Sequence, residues 1–300
     1  MLNEAMSAAC ASLGIVPPAR INPGKWVRTN TLERNGKGDA SVLVFDDRQG
    51  GIVWNWQTQQ KQTFTTREPG QAPAPRKRDI QAERRAEEDR LAVESLCLEI
   101  VRSCDQKQHP YLAAKGFADE IGLVHESPRR CVPDTRLGRM IAEAMPTVEG
   151  PFLIIPGRIG SRVATVQFIA PDGSKKNIYR GAMRGAFHRI STGRATWVCE
   201  GIATALSVRA ALRLLGVSAT VLSAFSASNV ALVASAIPGA RIAADNDKPV
   251  PTLGDLGTGE FYARQSGCVW TMPSERGDFN DLHQSAGLRA VALHLKGVIA

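Results

Sequence analysis

Three short phrases in the last third of the chain set acids directly after or close behind apolar runs. WVCEGIATALS carries Glu200, AADNDK carries Asp245 and Asp247, and GDFNDL carries Asp278 and Asp281. Taken singly, each is an ordinary surface-loop residue. Taken together they point to a particular chemistry, because carboxylates held close to one another repel unless they are protonated or given a cation. Magnesium prefers oxygen ligands, keeps several of its waters and suits one or two carboxylates per ion. The set therefore describes a magnesium- or manganese-dependent phosphoryl-transfer site, in which the protein supplies positioning and charge neutralisation rather than covalent chemistry.

Such a site needs elements that bring separate stretches to one edge. Beyond Thr196 the pattern alternates: a strand in WVC, a helix in IATALSVRAALRLLG closed by Gly216, a strand in SATVLSA and a helix near NVALVASAI. There follow a strand in ARIAA, a helix near GEFYARQSG, a strand in CVWTM and a helix in the last fifteen or so residues. Strands and helices at this spacing predict right-handed crossovers and a largely parallel, Rossmann-like α/β sheet. In such sheets ligands gather outside the carboxyl ends of the strands, which is where all five acids fall. Gly201 is expected to let the chain turn sharply from the strand into its helix.

Charge marks a second region. The 300 residues carry a net +8, and residues 151–194 hold eight Lys/Arg against one acid, so seven of the eight excess charges lie in one short segment. Within it, FLIIPGRIGSRVATVQFIAPDGSKKNIYRG reads as strands with a PDGS turn. Lys175, Lys176, Arg180, Arg184 and Arg189 are interleaved with glycines that allow a close backbone approach. This clustering favours a polyanionic partner, through counterion release from phosphates; the alternative is a solvated basic face.

Residues 1–66 form a small β-rich region, with strand-like runs SVLVFDD, GIVWNWQ and QTFTT and a hairpin expected around Arg48-Gln49-Gly50-Gly51. Trp26, Trp54 and Trp56 lie among Lys25, Arg28 and Lys61. They could stack bases of a single strand while the cations hold phosphates, or they could be small-sheet core. The proline-bearing stretch 67–79 reads as a linker, followed by an amphipathic charged helix, so 67–108 forms a connecting region. HPYLAAKGF predicts a short helix ended at Gly116, and opens a basic α+β subdomain over 109–195 that precedes the sheet domain of 196–300.

The six cysteines are dispersed with no CxxC pair, so no zinc is expected and the plain reading is reduced thiols in a cytoplasmic protein. No apolar run of about 18 residues and no basic leader occurs, so neither membrane insertion nor export is expected. GTGE at 257–260 reads as a helix entry, His188 and His283 as structural residues, and Cys199 as a buried strand position.

The order EG, then DxD, then the acid of DFND resembles the TOPRIM domain, over about residues 196–300. HPYLAAKGF, the basic strands, VCEGIATALS, AADND and DFNDL together resemble the TOPRIM primases of phages and conjugative plasmids, in the bacterial-type DNA primase superfamily. PGKWVRTNTLERN and IVWNWQTQQKQTF resemble that group's N-terminal region. The resemblance implies magnesium-dependent synthesis of short RNA primers on single-stranded DNA from ribonucleoside triphosphates. It makes Glu200 a metal ligand or general acid/base, Asp245 and Asp247 the DxD ligands, and Asp278 the later acid. Lys176 would be the lysine near nucleotide or template, with Arg180 and Arg184 its neighbours. No zinc module and no GxxxxGK[ST] motif is present, so unwinding is expected from a separate replicative helicase or initiator. Two other readings use much the same residues: a metal-dependent nuclease, and a non-catalytic nucleic-acid-binding accessory. A topoisomerase would need a nucleophilic tyrosine on a further large domain, and the tyrosines are only Tyr111, Tyr179 and Tyr262.

Overall fold

The structure, a computed structural model, describes residues 2–32, 38–56, 60–67 and 80–298. The chain divides into two units, Met1–Asp79 and Ile80–Ala300. Residues 68–79, the bulk of the stretch read as a linker, lie outside the described residues.

In the first unit, helix α1 (Leu2–Ser12) covers an antiparallel meander of β1 (Trp26–Thr29), β2 (Ala40–Val44), β3 (Gly50–Asn55) and β4 (Lys61–Thr65). The β2–β3 hairpin closes through Arg48, whose φ of 55° lies in the left-handed region. Alternation along the strands sends Val42, Val44, Val53 and Phe64 against Met6 and Cys10 of the helix. The same alternation and the strand register put Trp26, Arg28, Ser41, Trp54 and Lys61 on the other face. The tryptophans are thus outside the core of this small sheet, because the period-two pattern spends the core face on aliphatic residues.

The second unit has two five-stranded sheets. The first, in the order β5 (Asp105–Lys107), β6 (Gly122–His125), β7 (Phe152–Ile159), β8 (Arg162–Ile169) and β9 (Lys175–Asn177), is antiparallel throughout. One face packs on α2 (Ile80–Arg102) and α4 (Arg136–Ala144) through Leu96, Ile100, Ile141, Ile154 and Phe168. The charged half of α2 is not merely solvated, since Glu94 receives Arg162 and Asp89 receives Arg180 from the basic segment. Helix α3 (Pro110–Ala114) is capped by His109, whose Nδ1 accepts the Tyr111 N–H, and the chain leaves it at Gly116 with φ 85°.

The second sheet has the order β10 (His188–Ser191), β12 (Ala219–Ser223), β11 (Ala195–Cys199), β13 (Arg241–Ala243) and β14 (Val269–Thr271). β11, β12, β13 and β14 pair in parallel, and β10 adds an antiparallel edge. β10 therefore joins this sheet from across the boundary read in the sequence at 195/196. Helices α5 (Ile202–Leu214), α8 (Phe279–Ala286) and α9 (Leu288–Lys296) cover one face, over Trp197, Cys199, Val221 and Ala243. Helices α6 (Ala227–Ser235) and α7 (Thr258–Gln265) lie on the other, over Val198, Leu222 and Ile242.

What fixes the two sheets against each other is a third core layer. Leu153, Ile155 and Ile169 of the antiparallel sheet meet Ile202, Ala203 and Leu206 of α5, with Tyr111 and Leu112 of α3 between them. Arg209 of α5 donates two hydrogen bonds to Glu120, at 2.9 and 2.6 Å. Asn280 Nδ2 donates to the Lys115 carbonyl at 2.9 Å, and Gln284 Nε2 to that of Ala114 at 2.7 Å. Polar and apolar contacts together hold β9 at a set position beside the end of β11. No helix among the described residues is long and apolar enough to cross a membrane.

Candidate active site

Glu200 is the first residue after β11, at the carboxyl edge of the parallel sheet. Its carbonyl is held by the Phe225 N–H at 2.8 Å and the Ser223 hydroxyl at 2.9 Å, both from the end of β12. Its carboxylate receives the Ala227 N–H at the start of α6. Gly201, the N-cap of α5, is extended at φ −98°, so no left-handed turn is made there. A Cβ at that position would stand 3.7 Å from Thr204 Oγ1 and 4.0 Å from Lys175 Nζ, which brings the lysine beside the start of α5.

Asp245 follows β13 by two residues and is half-buried, yet its Oδ1 is fully shielded and has no hydrogen-bond partner among the described residues. Asp247 is exposed, and its Oδ2 accepts the Gly259 N–H at 2.9 Å. Gly259 is needed there by space, since a Cβ would stand 2.3 Å from the Asp245 carbonyl. GTGE is thus a helix entry, and one that grips the DxD segment.

Asp278 caps α8, its Oδ1 accepting the N–H groups of Asn280 at 2.6 Å and Asp281 at 2.9 Å. Asp281 turns back to accept the Asp278 N–H at 3.1 Å, completing a capping box. The structure therefore spends the Asp281 carboxylate on the helix end. Gly277 precedes them at φ 124°, and a Cβ there would meet Asp281 Oδ2 at 2.6 Å.

The electrostatics show which acids share one field. Burial first, then the charges of Glu200, Asp278 and Asp247, push Asp245 up to about 8, while Lys175 opposes them. Burial first, then the Asp247 charge, push Glu200 up to about 7, with Asp278 adding to the rise and Lys175 and the Ala227 N–H pulling back. A shielded carboxylate oxygen without a partner among the described residues, set among like charges, is what a bound cation would relieve. Among the described residues no three His, Cys, Asp or Glu side chains close into a ready-made metal cage. The carboxylates form an open set, and that suits a hard cation that completes its shell with water.

The basic residues separate. Lys175 on β9 faces the acids, with its Nζ also 5.3 Å from the centre of the Tyr111 ring. Lys176, the next residue along the strand, points to the opposite face. Arg180, at φ 61°, is committed to Asp89 of α2. Arg184 is exposed on a loop tied to α6, where the Gly185 N–H reaches Asn229 Oδ1 at 2.6 Å and Asn229 Nδ2 reaches the Ala186 carbonyl at 2.8 Å. Arg189 is exposed on β10. In the first unit Trp54 and Trp56 stack at 4.1 Å, Trp26 meets Trp54 edge-on at 6.0 Å, and Lys61 and Arg28 lie 4.0 and 5.0 Å over the Trp54 and Trp56 rings. Trp26 is 46% exposed.

The Gly259 and Ala227 amides and the loop at Phe225 had no role in the sequence reading. The one signal for the first was the GxG spacing of Gly257 and Gly259, the latter 12 residues beyond Asp247; amides that grip carboxylates leave no side-chain signature.

Residues 195–289 match the family described as the Toprim domain. The parallel sheet and its flanking helices are accordingly a Toprim domain, preceded by an antiparallel α+β sheet and a β-rich N-terminal unit that this match does not cover. No curated protein matches the chain. Among solved structures the chain is similar to the catalytic domain of DnaG primase bound to single-stranded DNA, at 12% identity and TM-score 0.45, over 70% of this chain and 80% of that one. It is similar to the primase fragment of the bacteriophage T7 primase-helicase protein, at 11% identity and TM-score 0.41, over 90% and 98%. It is also similar to the zinc-binding and RNA polymerase domains of Aquifex aeolicus primase, at 11% identity and TM-score 0.40, over 99% and 84%.

Proposed function

We propose that this protein is a DNA primase, a nucleotidyltransferase that joins ribonucleoside triphosphates into short RNA primers on a single-stranded DNA template. The observation that carries the reading is the crowding of Glu200 and Asp245 with Asp247 and Asp278 at the Toprim sheet edge, with Lys175 brought to it from the basic sheet. The motif likeness to primases of mobile genetic elements, phage or plasmid, supports it, and the work would be done in the cytoplasm beside a separate helicase or initiator.

Asp245 and Asp247 would hold magnesium or manganese, with Glu200 or Asp278 assisting. When bound, the ion lowers the pKa of the attacking 3′-hydroxyl and neutralises the leaving pyrophosphate. The chain's own residues do the rest. Gly259 and the α8 capping box fix the directions of Asp247 and Asp278, so that little reorganisation is needed on substrate binding. Lys175, flanked by Tyr111, offers one ammonium beside the acids for a nucleotide phosphate, and the exposed Arg184, Arg189 and Lys176 extend the positive surface for the template backbone, to which Arg180 would contribute only by leaving Asp89. On the N-terminal sheet, Trp26 with Arg28 and Lys61 offers an aromatic and cationic face for single-stranded template.

Primer synthesis on random-sequence single-stranded DNA, with magnesium and labelled ribonucleotides, tests the proposal. Elongated labelled products that disappear in Asp245→Asn are expected. Shortened DNA without labelled products would assign the same acids to a nuclease, and binding with neither product would leave an accessory protein.

A further inference from the structure

Away from the carboxylates, the structure gathers two cysteines and a histidine that are far apart in sequence. Cys104 follows the end of α2, His125 ends β6, and Cys131 ends the short 3-10 turn Pro128–Cys131. Antiparallel pairing of β5 with β6 sets Asp105 opposite Val124, so the residues just outside that pair, Cys104 and His125, become neighbours. His125 Nε2 lies 3.4 Å from Cys131 Sγ and 3.1 Å from the Ser103 hydroxyl, which is itself 3.6 Å from Cys131 Sγ. Cys104 Sγ donates to the Ile100 carbonyl at 3.1 Å, the same oxygen that the Ser103 hydroxyl reaches. The cluster is continuous from one sulfur to the other.

The state of the imidazole follows from its other nitrogen. Nδ1 accepts the Ser127 N–H at 3.0 Å, so in the neutral ring the hydrogen sits on Nε2, aimed at Cys131 and Ser103. Burial lowers the His125 pKa, which favours that neutral form near pH 7. Cys131 Sγ therefore has an N–H donor beside it and is partly open to solvent. The Cys104 thiol is pushed up to about 12 by burial first, then by the charges of Cys131 and Asp105. Among the described residues no three His, Cys, Asp or Glu side chains are grouped so as to hold a metal ion, and the cluster is read for its thiol chemistry.

We infer that Cys131 and Cys104 are an asymmetric dithiol, Cys131 the attacking and Cys104 the resolving sulfur, that reacts with small-molecule disulfides. Cys131 loses its proton to solvent and its sulfur attacks one sulfur of oxidised glutathione. One glutathione thiolate leaves and takes up a proton. Cys104 then loses its proton to solvent, its sulfur attacks the Cys131 sulfur of the mixed disulfide, and the second glutathione thiolate leaves and is protonated. The protein gives up two electrons and two protons, and one small disulfide becomes two thiols. The product ties the end of α2 to the 3-10 turn, at the edge of the sheet whose far strand carries Lys175.

The test uses the full chain exposed to graded ratios of oxidised to reduced glutathione, quenched with N-ethylmaleimide and mapped by peptide mass spectrometry. A glutathione adduct on Cys131, followed by a Cys104–Cys131 disulfide, is expected in the wild type. Cys104→Ser should stop at the adduct, and His125→Asn should slow its formation about tenfold. Labelling of the untreated wild type, which needs no variant to fold, should modify Cys131 several-fold faster than Cys268, the other thiol of intermediate exposure outside the cluster. Equal rates at Cys131 and Cys268, or oxidation that never links Cys104 to Cys131, would overturn the inference.

Discussion

The tryptophan face of the N-terminal sheet and the carboxylate edge of the Toprim sheet both concentrate groups that could meet nucleic acid, but they treat charge in opposite ways. On the N-terminal sheet the rings and cations pair among themselves: Trp54 stacks on Trp56, and Lys61 and Arg28 lie over their rings, while the one shielded polar atom of the stack without a hydrogen-bond partner among the described residues, Trp54 Nε1, carries no charge. At the Toprim edge charge is left over, with a shielded Asp245 oxygen that has no partner among the described residues and Glu200 raised into the neutral range. The first arrangement gains stability from its own contacts. The second stores repulsion that a proton or a cation relieves, and crowding of that kind is a mark of a reactive site.

The largest effect expected from this contrast is on chemistry. Asp245→Asn should lower primer synthesis by on the order of 1,000-fold while single-stranded DNA binding, followed by anisotropy, stays within about twofold. The lysines sharpen it next. Lys175→Ala should cost about 10- to 100-fold in kcat/KM and Lys176→Ala no more than about threefold, since only Lys175 faces the acids. Equal losses would place the nucleotide elsewhere.

Stability should run against catalysis at the same residue. Glu200 and Asp245 have folded pKa values raised above the ordinary carboxylate range, to about 7 and about 8. The stability they contribute is present below the unfolded pKa of about 4 and is lost as pH rises through the folded values. Metal-free protein should therefore unfold at progressively lower temperature between about pH 5 and about pH 9, and Asp245→Asn should flatten that slope. A wild-type profile without a slope would mean that the repulsion is not there.

The smallest effects fall on the N-terminal face. Trp54→Ala, which breaks the stack and its cation contact, should cost that unit about 1–2 kcal/mol in chemical denaturation. Trp26→Ala should leave stability nearly unchanged and weaken single-strand binding about five- to tenfold, because Trp26 is the exposed ring.

Much of the sheet was legible because its signal is local. Apolar runs such as WVC and RIAA, each followed by an acid and then by a helical pattern, carry both the strand and the position of its carboxyl end. The antiparallel edge strand β10 was read with the preceding subdomain, since nothing in HRIS tells which sheet it will join. The choice of Lys175 over its neighbour depends on the pleat of β9 against α3, a register that two adjacent lysines cannot reveal. Asp281 counted as one more site acid until the capping box claimed it, although the DxxD spacing of a cap was present in DFND. Cys104, His125 and Cys131 look dispersed in sequence because the β5–β6 pairing that joins them is a tertiary event.

The central claim is that the crowded carboxylates await a divalent cation, and calorimetric titration of metal-free protein with magnesium tests it most directly. Run near pH 7.5 in buffers of different ionisation enthalpy, it should show saturable binding with about 0.5–1 proton released per ion, because Glu200 and Asp245 are partly protonated there and must give up their protons. Asp245→Asn should lose most of both signals. Binding that is unchanged in the variant, or that releases no protons, would contradict the claim.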